Sequence, residues 1–231
     1  MKHALLVATG NAGKLVELRA LLADLPVDVL APADVLREPK AVVEDGDTFV
    51  KNATKKARAF AEASMMLCLA DDSGLEVDIL GGAPGVRSAR YAHERATDAE
   101  NRAALLAALE AVDDPLSIRH AGATPELHRP SDRLRARFRC ALVLVDPFAD
   151  GAVAVSEGSA EGTILRTPRG SGGFGYDPLF VVEGADGRTM AELTSAEKNA
   201  LSHRGKALAA MRPNLVAILA ARTRRLAAIF A

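Results

Sequence analysis

Two adjacent acidic residues, Asp71 and Asp72, follow an apolar run that is typical of a buried strand. Burying a carboxylate is costly unless a cation or hydrogen-bond donors compensate it. Mg²⁺ prefers one or two carboxylates together with phosphate oxygens and water. The pair therefore predicts a cation site, with an ordinary Asx turn at the strand end as the alternative. Because neighbouring side chains of a strand point to opposite faces, we expect only one of the two to face such a site.

A second candidate is a turn of small and polar residues between a predicted strand and a predicted helix. It consists of Thr9, Gly10, Asn11, Ala12, Gly13 and Lys14. Such a turn presents backbone N–H groups and a helix N-terminus, which favour phosphate, and Lys14 adds a positive charge. The spacing differs from that of a Walker loop. A phosphate loop and an ordinary strand–helix turn are both compatible with this segment.

A charged loop, Glu44-Asp45-Gly46, precedes a predicted helix that carries Asn52 and Lys55. By itself the loop is best interpreted as solvent-exposed, and so is the polar face of the helix. Glu44 becomes a second cation ligand only if the fold brings it beside Asp72.

A glycine-rich segment at 169–177 contains Phe174, Gly175, Tyr176 and Asp177. Glycines on both sides of Phe174 allow the backbone to approach a flat ligand, and the ring can stack on a base. Asp177 could accept hydrogen bonds from ring N–H groups. A glycine-rich hairpin with a core aromatic residue is the alternative.

Basic residues cluster near Lys198, His203 and Arg204. On one continuous helix, Lys198 and His203 would lie about 140° apart at 3.6 residues per turn. They converge only if the helix breaks between them, and Ser202 is a suitable N-cap for a new helix. Arg204 could then donate to a carbonyl oxygen, whereas a solvated basic helix face is the alternative interpretation.

Hydrophobic periodicity predicts the elements that would position these residues. Strands are predicted at 3–8, 27–30, 68–70, 75–79, 138–145, 153–159 and 179–182, and 31–46 as loop. Helices are predicted at 12–24, from Asp47 as the cap to 66, at 98–112, after a capping box of Thr194 and Glu197, from about Ser202, and at 214–228. Without regular βαβ alternation, this order predicts an α/β fold with an elongated mixed β-sheet flanked by helices in two lobes.

Composition limits the class of protein. The chain has 231 residues, 49% hydrophobic and 26% charged, with a formal net charge of -1. These values fit a globular protein without a nucleic-acid surface, either one domain over 1–231 or two tightly joined lobes. Cys68 and Cys140 lie in apolar runs and are expected to be reduced, buried thiols. No apolar run is long enough for a membrane span, and the first residues are too short a run for a signal peptide, so a cytoplasmic location is expected. Residues 113–135 lack periodicity and are predicted to be a loop insertion.

The order of the motifs is more specific than any one of them. From about residue 5 to residue 211 the chain carries TGNAGKLVEL, FVKNA, DDSGLEVD, GAPGVRSARY, GFGYDPLF and EKNALSHRGKAL. Together they resemble the dITP/XTP pyrophosphatase family, the inosine triphosphate pyrophosphatase-like enzymes. The segment 113–135 is longer than the family pattern and carries no motif.

The resemblance implies a long mixed sheet with two lobes and a central nucleotide-binding cleft, a homodimer, and Mg²⁺ as cofactor. It implies hydrolysis of deaminated purine nucleoside triphosphates, such as inosine, deoxyinosine and xanthosine triphosphate, to the monophosphate and pyrophosphate. Asp72 matches the proton acceptor and metal ligand, and Glu44 matches a second metal ligand. The implied substrate contacts are Thr9, Gly10, Asn11, Ala12, Gly13, Lys14, Ser73, Phe174, Gly175, Tyr176, Asp177, Lys198, His203 and Arg204.

These roles are chemically consistent with the residue types. A carboxylate bound to Mg²⁺ has a low pKa, so Asp72 would orient the attacking water better than it would deprotonate it. A donor such as Arg204 suits the 6-oxo group of inosine and xanthosine and mismatches the amine of adenosine. Three rival functions stay open: a pyrophosphatase for other modified nucleotides, a nucleotide sensor without turnover, and a structural partner-binding module.

Overall fold

The computed structural model describes residues 2–39, 41–113, 134–149 and 153–229. Its strands are β1 (His3–Ala8), β2 (Val27–Leu30), β3 (Cys68–Val77), β4 (Arg135–Val145), β5 (Val153–Ile164) and β6 (Phe180–Val182). Its α-helices are α1 (Ala12–Leu21), α2 (Pro32–Val35), α3 (Phe49–Ser64), α4 (Asp98–Asp113), α5 (Ser195–Leu201) and α6 (His203–Ile229). Of the predicted insertion at 113–135, residues 114–133 lie outside the described part.

The six strands form one mixed sheet in the order β2-β1-β3-β4-β5-β6. Strand β1 pairs in parallel with both β2 and β3, whereas β5 and β6 are antiparallel. Helices connect the parallel strands, as βαβ-type crossovers require. The predicted α/β class with a mixed, helix-flanked sheet is confirmed.

The chain divides into two compact units, and the division falls inside β3, β4 and β5. The first unit comprises Met1–Asp72, Cys140–Gly158 and His203–Ala231, and the second comprises Ser73–Arg139 and Ser159–Ser202. The core of the first unit includes Leu5, Val7, Leu18, Leu69, Leu142, Met211 and Leu215. The core of the second includes Leu75, Leu105, Leu109, Phe138, Tyr176, Leu179 and Phe180. Each unit thus has a hydrophobic core of its own.

The prediction of two strands at 68–70 and 75–79 is wrong, because β3 runs without a break through Asp71 and Asp72. Both acidic residues are buried, at 0% and 5% exposure. Each is compensated by cations rather than by solvent at a turn, so the ladder does not need to end there. The turn chemistry of Asp-Asp-Ser-Gly is overridden by partners elsewhere in the chain.

Helix boundaries also differ from the prediction at two places. Thr48, not Asp47, caps α3, since its hydroxyl accepts the Lys51 N–H and Asp47 instead pairs with the Lys51 ammonium. The two helices predicted after Ser202 are one helix, α6, which contains Pro213. Proline removes one helical hydrogen bond, but packing of the flanking apolar side chains into the core of the first unit keeps the helix continuous.

The predicted break between α5 and α6 is confirmed. Thr194 and Glu197 form the predicted capping box at the start of α5. Ser202 ends that helix in an extended conformation, and α6 begins at His203. Within the described ranges no helix combines the length and the hydropathy needed to cross a membrane.

Candidate active site

The phosphate loop predicted at 9–14 joins β1 to α1. Asn11 is the N-cap of α1, and its side chain accepts the backbone N–H of Lys14 at 3.0 Å. The Thr9 hydroxyl accepts the N–H of Asn11 at 3.1 Å, which fixes the turn. Gly10, Asn11 and Ala12 are exposed. The N-terminus of α1 therefore faces solvent, as an anion-binding turn requires.

Asp71 lies in the first unit at the centre of a buried charge cluster. Its carboxylate accepts from Lys14 Nζ at 2.6 Å, from Arg204 Nε at 2.9 Å and from the Cys140 thiol at 3.1 Å. Burial alone would raise the pKa of Asp71, but the charges of Arg204 and Lys14 outweigh it and hold that pKa well below its usual range. Asp71 is therefore a permanent anion that fixes Lys14 and Arg204.

Asp72 has a different set of neighbours. Lys56 Nζ lies 3.6 Å from Asp72 Oδ1 and 3.1 Å from Glu44 Oε2, and it donates to the Asp71 carbonyl oxygen at 2.8 Å. Burial raises the pKa of Asp72 to about 6, against the lowering effect of Lys56 and Lys14 and with a further raising effect of Glu44. Among the described residues, Asp72 Oδ2 has no hydrogen-bond partner although it is buried.

The loop that carries Glu44 is attached to α3. Asn52 is fully buried, accepts the Gly46 N–H at 2.7 Å and donates to the Gly46 carbonyl oxygen at 3.4 Å. A Cβ at Gly46 would lie 2.6 Å from Asn52 Oδ1, so this close approach requires glycine. The fold thus brings Glu44 beside Asp72, as a role as second cation ligand requires, since both carboxylates reach the same ammonium group.

Arg204 occupies the first turn of α6 and is 1% exposed. Besides Asp71, its guanidinium forms an ion pair with Glu17 of α1. Burial alone would lower the pKa of Arg204, but the carboxylates of Asp71 and Glu17 raise it, so the guanidinium stays charged. His203, the preceding residue, is also buried. The predicted base contact of Arg204 stays a prediction, because the hydrogen bonds in the structure serve to hold Asp71 and Glu17.

The glycine-rich loop lies in the second unit. Asp177 Oδ2 accepts the Phe174 N–H at 2.9 Å and the Lys198 ammonium at 2.5 Å. Lys198 Nζ also lies 4.8 Å from the centre of the half-buried Phe174 ring, a cation–π contact. Tyr176 is part of the core, and its hydroxyl donates to the Ser88 carbonyl oxygen at 2.9 Å. Phe174, Asp177 and Lys198 thus form one connected group.

The predicted residues fall into two groups, one in each unit. The first unit holds the loop at 9–14, Glu44, Asp72, His203 and Arg204, and the second holds Ser73, Phe174, Gly175, Tyr176, Asp177 and Lys198. Ser73 lies half-buried in β3 directly after Asp72. Their contacts with substrate stay predictions.

Sequence reasoning missed Lys56 and Glu17, and it did not give Asp71 its role. For Lys56 a signal exists. Asn52 and Lys56 are four residues apart on the same α3 face as the buried Ala53 and Ala57, and polar groups on an apolar face call for buried partners. Lys55, the exposed neighbour, pairs with Asp45 instead.

The acidic pair in the first unit has the chemistry of a cation site. Glu44 and Asp72 share one ammonium, and in the part of the chain that the structure describes one buried oxygen of the Asp72 carboxylate has no hydrogen-bond donor. In the described residues, no three His, Cys, Asp or Glu side chains converge to hold a metal by themselves. Two carboxylates fit a cation that completes its shell with phosphate oxygens and water.

Comparisons with known proteins identify the family of the chain. Residues 5–214 match the model of the Ham1 family. A dITP/XTP pyrophosphatase of Escherichia coli K12 is 45% identical over 202 residues, which are 87% of this chain and 92% of that protein. The structure of a HAM1 protein from Coxiella burnetii has a TM-score of 0.75 and 41% identity, covering 94% of this chain and 99% of that one.

A nucleoside-triphosphatase / dITP/XTP pyrophosphatase from Mycobacterium abscessus has a TM-score of 0.66 at 43% identity, covering 91% of this chain and 99% of that chain. The matched residues include both groups described above. The family model and the sequence relatives lead to one conclusion: the chain belongs to the Ham1 family.

Proposed function

We propose that this protein hydrolyses deaminated purine nucleoside triphosphates, such as inosine, deoxyinosine and xanthosine triphosphate, to the monophosphate and pyrophosphate. The observation that carries the proposal is the buried Asp72 carboxylate, which is held with Glu44 around one lysine and has one oxygen without a hydrogen-bond donor among the described residues. The names of the relatives supply the substrate class, since they are dITP/XTP pyrophosphatases at 45% to 47% identity.

Residues of the first unit are proposed to bind the triphosphate. The N–H groups at the start of α1 and the Lys14 ammonium complement phosphate oxygens. Lys56 places a second ammonium beside the two carboxylates. These cations stabilise the charge that develops on pyrophosphate when it leaves.

Glu44 and Asp72 are the residues that would hold Mg²⁺, and their donor set fits it. When bound, the ion supplies Lewis-acid stabilisation of phosphoryl charge. Asp72 is proposed mainly to orient the attacking water, and to take or steer its proton as the water oxygen bonds to the α-phosphorus. The bond from that phosphorus to the bridging oxygen breaks, and pyrophosphate leaves with the bond electrons.

Residues of the second unit are proposed to recognise the base. The Phe174 ring offers a flat surface for stacking, and Asp177 and Lys198 place an acceptor and a donor beside it. Selectivity for a 6-oxo purine requires a donor to that oxygen, and Arg204, a residue of the first unit, is proposed for this role. A homodimer is also proposed, on the family resemblance, and light scattering of the purified protein tests it. The cytoplasmic location stays a prediction.

Steady-state kinetics on inosine, xanthosine, guanosine and adenosine triphosphates with Mg²⁺ test the proposal, with pyrophosphate and phosphate measured separately. We expect pyrophosphate as the product and the highest kcat/KM for the inosine and xanthosine nucleotides. Release of phosphate instead would contradict the cleavage site. Binding of inosine triphosphate without hydrolysis would support a nucleotide sensor, and a preference for methylated or pyrimidine nucleotides would support the other rival.

A further inference from the structure

The glycine-rich loop is fixed by two charged side chains of α4, at a single residue. The Asp98 carboxylate accepts the backbone N–H of Gly175 at 2.6 Å. One helical turn later, Arg102 Nη1 donates to the Gly175 carbonyl oxygen at 2.7 Å. Both hydrogen bonds involve a charged group, which makes them stronger than bonds between neutral groups. Both polar groups of the Gly175 backbone, its N–H and its C=O, are therefore held by side chains of α4.

Glycine is needed here for its backbone conformation and not for space. Gly175 has a φ of 59°, in the left-handed region, and a Cβ built on it would meet nothing within 4 Å. The two α4 side chains are complementary to this conformation, because they place an acceptor and a donor where the left-handed residue directs its N–H and C=O. They restrict a residue that glycine otherwise leaves free to move.

Helix α4 is itself a firm support. Its Leu105 and Leu109 are buried in the core of the second unit. Asn101, one position before Arg102, is 3% exposed, accepts the Ala92 N–H at 3.0 Å and donates to the Ala89 carbonyl oxygen at 3.0 Å. Asp98 and Arg102 therefore act from a fixed position.

The residues on the two sides of Gly175 are anchored to different degrees. Tyr176 is 4% exposed and packs in the core, so that side of the loop is already fixed. Phe174 is half-buried and follows exposed residues at 170–173. Its ring position depends on Asp177, on Lys198 and on the restricted backbone of Gly175.

We propose that Asp98 and Arg102 are positioning residues for nucleobase recognition, which clamp Gly175 and thereby hold the Phe174 ring in the orientation that stacks on the purine. The inference rests on the proposed function, since it assumes that Phe174 contacts the base. The clamp acts on binding and not on bond cleavage. Its loss therefore raises the KM for a nucleotide more than it lowers kcat.

The test uses the full chain with four substitutions. Asp98→Ala and Arg102→Met each remove one arm of the clamp, and Asp98→Asn keeps an oxygen that accepts the Gly175 N–H. Arg95→Met is the matched control, because it removes an arginine from an exposed position just before α4. KM and kcat for inosine triphosphate are measured, and calorimetry gives Kd for that nucleotide and for inorganic tripolyphosphate, which has no base.

We expect Asp98→Ala and Arg102→Met to raise the KM and Kd for inosine triphosphate about 5- to 10-fold, as loss of one hydrogen bond implies. For these two variants, the Kd for tripolyphosphate should stay near the wild-type value and kcat should stay within about 3-fold of it. All values for Asp98→Asn and Arg95→Met should stay near wild type. KM is insensitive to the fraction of folded enzyme, so mere destabilisation does not imitate this result.

The inference is overturned if both clamp variants keep wild-type KM, or if Kd for tripolyphosphate rises by the same factor as Kd for inosine triphosphate. Its failure differs from failure of the proposed function. If the wild type releases no pyrophosphate, the proposed function is wrong and the Kd values still decide the clamp. If the wild type binds no inosine triphosphate, both are wrong.

Discussion

Asp71 and Asp72 are neighbours in β3 and both are buried, yet their surroundings shift their pKa values in opposite directions. Around Asp71, Lys14, Arg204 and the Cys140 thiol all donate to the carboxylate, and its pKa lies well below the usual range. Around Asp72, burial dominates and raises the pKa to about 6. Two buried carboxylates thus have pKa values shifted in opposite directions, because the number of compensating donors differs.

The difference separates a structural anion from the carboxylate that is proposed to be reactive. Asp71 has its donors within the protein and uses them to fix two cations of the first unit. Asp72 has one lysine shared with Glu44 and one oxygen without a donor among the described residues. A carboxylate whose compensation by the protein is incomplete is the one that can gain from a cation or from a water proton.

The largest expected effect is on turnover. Asp72→Asn keeps the size of the side chain but removes its charge and its ability to accept a proton. We expect kcat for inosine triphosphate to fall on the order of 10⁴-fold, or about 5 kcal/mol in activation free energy, with little change in nucleotide Kd. Asp45→Asn is the control, because it removes an exposed carboxylate of the adjacent loop. Near-normal turnover of Asp72→Asn would remove the assigned role of this residue.

Asp71→Asn tests the other side of the comparison. It leaves the buried Arg204 and Lys14 with less negative charge, and loss of one member of a buried ion cluster costs about 3–4 kcal/mol of unfolding free energy. Urea denaturation at pH 7 measures this loss. The same Asp45→Asn variant should unfold like the wild type. A stability of Asp71→Asn equal to wild type would show that Glu17 alone is enough for Arg204.

In the metal-free protein, the corresponding substitution at Asp72 should change the unfolding free energy in the opposite direction. The pKa of Asp72 is raised from 3.8 to about 6 on folding, so its stabilising contribution is present below about pH 4 and is lost as pH rises through 6. At pH 7 the ionised, buried Asp72 therefore destabilises the fold, and Asp72→Asn should stabilise it by about 1–3 kcal/mol. Urea denaturation in a chelator at pH 4 and pH 7 measures the change. A destabilised Asp72→Asn at pH 7 would contradict the comparison.

How far these features could be predicted depends on the range of the interactions involved. The turn at 9–14, the capping box at Thr194 and the break at Ser202 depend on nearby residues, and the structure has all three where local spacing predicts them. The continuity of β3 could not be predicted locally, because Asp71 is compensated by Lys14 and Arg204, which are far away in sequence. Local turn chemistry was the stronger signal at that point.

The site shows the same limit in part. Glu44 was predicted only on condition of proximity to Asp72, and Lys56, which brings the two acids together, was not predicted. Its position on the apolar face of α3 separates it from the exposed Lys55, so helical phase alone could have found it. The role of Arg204 as a partner of Asp71 needed the tertiary structure.

The smallest expected effect concerns the third donor to Asp71. Burial raises the pKa of the Cys140 thiol well above its ordinary value, and the adjacent Asp71 raises it further, so the group stays protonated and can donate. Cys140→Ala should lower the unfolding free energy by about 1–2 kcal/mol through the lost hydrogen bond and a small cavity, and Cys140→Ser should recover part of it. Cys68→Ala is the matched control for the cavity, since Cys68 is equally buried in β3 and does not contact Asp71 through a described hydrogen bond. If Cys140→Ala costs no more than Cys68→Ala, and Cys140→Ser recovers nothing, the thiol does not support Asp71. The Lys14 ammonium and the Arg204 guanidinium would then be enough to keep this carboxylate ionised.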